Sequence, residues 1–415
     1  MFGFLKKKEK DENHIVSLDI GTEFVKALVI EINEGNGEVQ GVGKCRQKLG
    51  DMQSGAVMDI GGVIENCKTA LSEAMEMSGK EPSKVIMGIA GELVKGATST
   101  ITYERTDPTS QITLSELKNI VHKVQWKAFD QVRSQLAWET GYPEIDVKLV
   151  NAAIVDVCID SYKISNPIGF QGKEVSISIF NAFAPLVHLG ALQTIAQELG
   201  LDVLAISAEP YAVARCAPGD DPSMSAIFID IGGGTTDIAV VRDGGVEGTK
   251  MFALGGRSFT KRLSQILNVS FDEAEKIKLT YANGRLNKAA TLKVRNAIEN
   301  DIDVWLSGVE MTLGDFYNLD ILPSDILLCG GGSGLPEITK SLNGKTWWKD
   351  LPFAKKPKIK FIKPEDVSNI TDLTSKLKNL QDITPMCLGS LAMSLSTEDE
   401  VVGKILRKVV RLMQV

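Results

Sequence analysis

The stretch FIDIGGGTTDIAVV (residues 228–241) is an apolar strand, a turn of three glycines and two threonines, and a second apolar strand. A fainter copy, SLDIGTEFVKALVI, occupies residues 17–30. In each, an aspartate, Asp230 or Asp19, stands at the end of the first strand just before the glycine turn. A glycine turn exposes backbone N–H groups, because no Cβ blocks an approaching anion. Gly232, Gly233 and Gly234 offer such a nest, to which Thr235 and Thr236 add hydroxyl donors; Gly21 and Thr22 offer a smaller one. A carboxylate aimed at a bound phosphate is repelled unless a cation lies between them, and Mg²⁺ is the usual one. Two such loops, one from each half of the chain, would clamp a single polyphosphate. Taken alone, DIGT reads more readily as an ordinary hairpin turn. DIGGGTTD is much harder to read so, since a plain hairpin needs neither three glycines nor two threonines.

Composition narrows the classes. The chain has 415 residues, 43% hydrophobic and 24% charged, enough for two to four compact units. A net charge of −7 argues against nucleic acid as a partner. The six cysteines are scattered with no C-x-x-C pair, which predicts reduced thiols in a cytosolic protein. The three histidines lack metal-ligand spacing. No run of eighteen apolar residues predicts a membrane span, and MFGFLKKKEKDEN carries its apolar residues before its lysines, the reverse of a signal peptide.

Along the chain, strands are expected at 15–32 and 85–91, with a helix at 63–79 between them. From about 99 to 184 the pattern is strand, helix, strand, strand: STITYE, SELKNIVHKVQWKAFDQVRSQLAW, VKLVNAAIVDVCID and KEVSISIFNAF. That order predicts a small self-contained module. A further strand follows the second aspartate turn and leads to Gly255-Gly256. Residues 260–318 are mostly helical in pattern, and DILLCGGGSG (325–334) is a third strand-to-glycine turn. The G-x-G-x-x-G register fails there because Leu335 takes the last glycine's place, and no P-loop sequence occurs. A nucleotide site built from three separate glycine turns remains.

Five stretches, in this order, resemble the signatures of the actin-like ATPase superfamily: LDIGTEFVKALV, SAEPYAVA, IDIGGGTTDIAVV, LLCGGGSGLPEI and TPMCLGSLAMS. The resemblance covers the whole chain. It implies an α/β actin-like ATPase fold of two duplicated βββαβα-type halves, with ATP and Mg²⁺ bound between them. Asp19 and Asp230 would order water around the metal, Thr22 would contact phosphate and Lys26 would reach the β- and γ-phosphates. Glu209 would position the attacking water, alongside Asp230, although it also stands where a helix near Pro210 would take a cap. Gly255, Gly256, Gly331, Gly332 and Ser333 would complete the nucleotide loops. Glu275 and Lys278 would touch ribose and adenine, an i,i+3 spacing equally typical of an exposed ion pair.

Within the superfamily the insertion resembles the SHS2-type subdomain of FtsA, the bacterial cell-division actin homologues. NPIGFQGKEVSISI, GIAGELV, FDEAEKIKLTYANG and FALGGRSFTKRL are similar to stretches of that family. PilM-like components of type IV pilus assembly share the insertion and are the alternative. The implied organisation is a basic tail at 1–14, subdomain 1A at 15–98 and 185–224, and the insertion at 99–184. Subdomains 2A and 2B follow at 225–383, a return helix at 384–396, and a linker with a terminal helix at 397–415. That last helix, VVGKILRKVVRLMQV, opposes an apolar stripe to Lys404, Arg407, Lys408 and Arg411, the pattern of a helix lying in anionic lipid. The bland alternative is a helix packed on the protein's own core. The family resemblance implies a peripheral protein on the cytoplasmic side of the cell membrane. It would self-associate into filaments and join an FtsZ-like tubulin homologue to the membrane, with ATP turnover slow or absent.

Overall fold

A computed structural model describes residues 11–91, 94–140, 147–217, 221, 223–316, 319–344, 346–397, 403 and 405–406. The first half opens with β1 (Asp11–Ile20), β2 (Phe24–Asn33) and β3 (Asn36–Arg46), an antiparallel meander. A small hairpin, β4 (Met52–Gln53) and β5 (Ala56–Val57), precedes helix α1 (Ile60–Ser78). Asp59 caps α1 by accepting from Gly62 N–H, and Gly79 ends it in the left-handed conformation at φ 66°. Strand β6 (Pro82–Ile89) then pairs parallel to β1.

The insertion comprises β7 (Lys95–Glu104), α2 (Leu114–Thr140), β8 (Val147–Ile159), β9 (Tyr162–Lys163) and β10 (Glu174–Pro185). The chain returns through α3 (Leu186–Glu198), β11 (Asp202–Ala208), parallel to β6, and α4 (Glu209–Cys216). The second half repeats the first, with the meander β12 (Ala226–Ile231), β13 (Thr236–Arg242) and β14 (Gly245–Phe252). Helices α5 (Gly256–Leu267), α6 (Phe271–Ala282) and α7 (Lys288–Gly314) follow. Then come β15 (Asp325–Cys329), α8 (Pro336–Gly344), β16 (Lys358–Phe361), β17 (Ile370–Asp372) and α9 (Ile383–Thr397).

The duplication implied by the two aspartate turns is present in the strand order. One sheet contains β3-β2-β1-β6-β11 and the other β14-β13-β12-β15-β16, the same order and the same pairing senses. β1 and β12 are the central strands, buried on both faces, which is why both read as near-continuous apolar runs. One apolar core joins the first half to the facing side of the second sheet, including Phe228, Ala239 and Val241; a second core lies on that sheet's other face, beneath α5–α8. Helices α4 and α9 pack on each other: α4 reaches the second-half strands and α9 lies on β1 and β2.

The insertion is not free-standing. Its strands β7-β10-β8-β9 continue the second sheet, because β7 pairs with β14 through Gly248 opposite Ala97 and Thr249 opposite Gly96. Phe180 of β10 stacks on Tyr211 of α4 at 5.0 Å and 8°, tying the module to the central core. The alternation along β10 foretells its two packed faces, but nothing local says which strand it will lie beside. One face of the module is covered by Leu117, Ile120, Val121 and Val124 of α2.

The same apolar cluster holds Ile405 and Leu406, 4% and 2% exposed. Most of the helix expected at 401–415 lies outside the described residues, as do residues 1–10 of the basic tail and 398–400 of the linker. For these two positions the structure favours the bland reading: their side chains pack on the protein's own core, away from any lipid. Leu406→Ala should therefore destabilise the insertion by about 2–4 kcal/mol, read as a lower unfolding temperature. An unchanged melting curve would show that this seat contributes nothing.

Candidate functional site

The two aspartate turns face one another across a cleft of about 490 Å³ between the halves. Their loops touch. A Cβ on Gly234 would stand 2.7 Å from Thr22 Oγ1, so only glycine allows this approach. Thr22 is itself buried and accepts from Gly55 N–H at 3.2 Å. Glu23 of the first turn accepts from Arg257 at the start of α5 (2.6 Å) and from Arg46 of β3 (2.7 Å), and Arg46 also reaches Asp272 of α6 (2.9 Å). This chain of ion pairs joins first-half strands to second-half helices along one rim.

The floor carries an unusual density of charge. Asp19 closes β1 and lies directly across from Lys26 of β2, with Nζ 2.6 Å from Oδ2. Asp230 closes β12 and lies directly across from Asp237 of β13. Two carboxylates at opposed positions on neighbouring strands repel each other. Burial, and then repulsion by Asp230, pushes the Asp237 carboxyl up to about 7, against the pull of Thr235 Oγ1 donating at 2.8 Å. Burial also raises Asp230, opposed by the Thr384 hydroxyl, which donates to Oδ2 at 2.5 Å, and by Lys26. Glu209, the first residue of α4, is raised well above the ordinary range by burial and by Asp19, Asp237 and Asp230. Burial would lower Lys26, yet Asp19, Asp230 and Asp382 hold it above its usual value.

Asp19 and Asp237, which are buried, and Asp230 and Glu209, which are half-buried, outnumber the ammonium of Lys26 that pairs with Asp19, and this excess of carboxylate fits a divalent cation. Among the described residues no three acidic, His or Cys side chains converge closely enough to ligate a metal. The donor set therefore suits a hydrated cation, with the carboxylates accepting from its waters. Asp19, Gly21, Thr22, Lys26, Glu209, Asp230, Gly232, Gly233 and Thr235 all line the cleft.

The third glycine turn closes the far wall. Gly330 adopts φ 80°, and a Cβ there would fall 2.1 Å from Asp230 Oδ1, so this position must be glycine. Gly256, Gly331 and Gly332 line the cavity beside it, with Leu279, Ala282 and Leu335 forming an apolar wall suited to a flat ring. Glu275 and Lys278 also line it. They pair with each other at 2.8 Å, but Lys278 is buried and Glu275 half-buried, and Lys278 additionally donates to Gly256 O and Thr260 Oγ1. An exposed ion pair is thus not what their spacing produces.

Four expected contacts lie elsewhere. Thr236 is buried and donates to Leu254 O at 2.7 Å while accepting from Trp305 Nε1 at 3.0 Å, so its hydroxyl serves the second-half core. Ser333 is buried and donates to Gly330 O at 2.6 Å, bracing the third turn. Gly234 and Gly255 pack behind the cavity, against Thr22 and against Gly232 O. Conversely, sequence reasoning missed Asp237, Lys44, Glu23, Arg257 and Gln381, all in the lining. Asp237 alone left a signal, as the second aspartate of DIGGGTTD.

A family model described as "Cell division protein FtsA" matches residues 227–392. A protein of that name from Neisseria meningitidis is 26% identical over 275 residues, 66% of this chain and 62% of the relative. The Streptococcus pneumoniae protein is 27% identical over 349 residues, 79% of this chain and 73% of its own. A solved "PilM-PilN type IV pilus biogenesis complex" superposes with a TM-score of 0.62 at 18% identity, covering 92% of this chain and 98% of that one. The last likeness is one of fold.

Because its folded-state value is raised, Asp237 favours the folded chain less as pH rises from about 4, where it ionises when unfolded, to about 7. The ligand-free protein should lose stability across that window, and Asp237→Asn should lessen the loss. Denaturant unfolding at pH 5 and pH 8 measures it; identical losses would mean that Asp237 is not held protonated.

Proposed function

We propose that the chain is an FtsA-like actin homologue, a cell-division protein that binds Mg²⁺·ATP in the cleft between its halves. The observation that carries this reading is the opposition of two aspartate–glycine turns over a floor of carboxylates. In it, the glycine turns and Thr22 hold the phosphate chain, and Lys26 neutralises part of its charge. Asp19, Asp230 and Asp237 accept from water on the cation. Bound Mg²⁺ supplies the positive charge that lets carboxylates and phosphates share the site. Glu209, with a raised affinity for protons, is suited to hold a water and take its proton. Glu275 and Lys278 face the sugar and base.

In the same reading the nucleotide-bound chain assembles into filaments on the cytoplasmic face of the membrane and links them to an FtsZ-like tubulin homologue. No helix among the described residues is long and apolar enough to cross a bilayer; in this reading attachment is peripheral. The basic amphipathic stretch 401–415 supplies the lipid contact, and Ile405 and Leu406 leave the insertion's core when it does so. A pilus-assembly role rests on fold likeness, whereas the family model and the curated relatives favour division.

Asp230→Ala should weaken Mg²⁺·ATP binding at least about tenfold, since it removes a charged acceptor, while circular dichroism stays that of the parent. Equal affinities in calorimetric titration would remove the two-loop clamp. The intact chain should co-sediment with phosphatidylglycerol vesicles, less so as salt is added, and a chain ending at residue 400 should not. Equal sedimentation of the two would place the lipid contact elsewhere.

A further inference from the structure

The cross-strand row that begins with Asp19 and Lys26 has a third member. Lys26 of β2 lies directly opposite Lys44 of β3, so the floor of the first half reads Asp19, Lys26, Lys44 across three neighbouring strands. Lys26 is paired with Asp19. Lys44 has no carboxylate at ion-pairing distance among the described residues; its ammonium stands 3.8 Å from the centre of the Phe24 ring. Both Lys44 and Phe24 line the cleft. Like charges opposed across strands cost stability, and here the pair is half-buried, where water screens it poorly. Burial and then the Lys26 charge lower the Lys44 ammonium below its usual value.

This arrangement mirrors the second half, where Asp230 opposes Asp237. Each half sets one like-charge pair across neighbouring strands toward the same cavity, anionic on one side and cationic on the other, although Lys26 of the second pair is also ion-paired with Asp19. Aspartates call for a cation between them; lysines call for an anion. We infer that Lys44 is a further phosphate-binding residue of the cleft, forming with Lys26 a two-ammonium seat for the phosphate chain of the bound nucleotide. This rests on the nucleotide reading above and adds a residue to it. The Phe24 ring holds the ammonium in place until the phosphate arrives, a weak cation–π contact that a phosphate oxygen easily outbids.

The test is calorimetric titration of the full chain and two variants with Mg²⁺·ATP, Mg²⁺·ADP and adenosine, with melting curves of each ligand-free protein. Lys44→Met keeps the apolar stem over Phe24 and removes the charge. It should bind both nucleotides about tenfold more weakly, as expected for one lost charged hydrogen bond, and adenosine as before. Lys44→Arg should stay within about threefold of the parent. The ligand-free Lys44→Met protein should melt no lower than the parent, because a repulsion has been removed. Unchanged nucleotide affinity in Lys44→Met, beside a parent that binds, would overturn the inference, as would an equal loss for adenosine. A parent that fails to bind Mg²⁺·ATP would instead bring down the nucleotide reading itself.

Discussion

Like charges set directly across from each other on neighbouring strands govern this molecule's cleft. Asp230 faces Asp237 in the second half and Lys26 faces Lys44 in the first, all on cavity-lining positions. The sheets are built to a common plan, so the two rows come to the same cavity from opposite sides. Neither row is comfortable without a ligand: burial raises Asp237 to about 7 and lowers Lys44. A cation bound to a polyphosphate relieves both at once. The site is thus organised for a ligand of mixed charge, and the folded chain gives up some stability to keep it so.

Holding the rows in register falls to a few contacts between the halves. The start of α9 touches both: Ser17 of β1 donates to Pro385 O at 2.7 Å, and Thr384 donates to Asp230. Above the floor, Glu23 takes Arg257 from the other half, and Arg46 extends the chain of charges to Asp272. One contact set lies at the cavity floor; the other lies at its rim, where Arg257–Glu23 is well covered and Arg46–Asp272 is exposed at Asp272. The exposed Arg46–Asp272 pair is the more screened and weaker of the rim contacts.

The C-terminal stretch has a sequence pattern that suits two environments, of which the structure holds one. The amphipathic stretch near the C-terminus has the charge distribution of a lipid-surface helix, and two of its apolar residues are buried in the insertion's core. An apolar stripe has no preference between a protein face and acyl chains, since both remove it from water. In the proposed reading, the opposing lysines and arginines draw the stretch to anionic lipid, and attachment would then compete with the packing of Ile405 and Leu406 in the insertion.

The duplicated halves, the two facing turns and the gathering of Asp19, Lys26, Glu209 and Asp230 at one cleft were legible in the sequence. A strand ending in aspartate and glycine is a local feature, and its recurrence half a chain apart needs no contact to be seen. The insertion's order of elements was legible for the same reason, because alternation and helical spacing are properties of consecutive residues. Its place was not. That β7 extends the second sheet depends on β14 presenting an open edge, which nothing in residues 95–185 encodes. Thr236 and Ser333 looked like ligand donors because a hydroxyl in a glycine turn has that chemistry; the core drew both toward backbone carbonyls. Lys44 and Arg257 were invisible for the opposite reason. Each sits in an unremarked polar stretch, and only strand register and the closing of the cleft bring it into the cavity lining. Local chemistry was decided by the chain, and the pairing of charges across strands and halves by the tertiary fold, because that pairing joins residues with no sequence relation to one another.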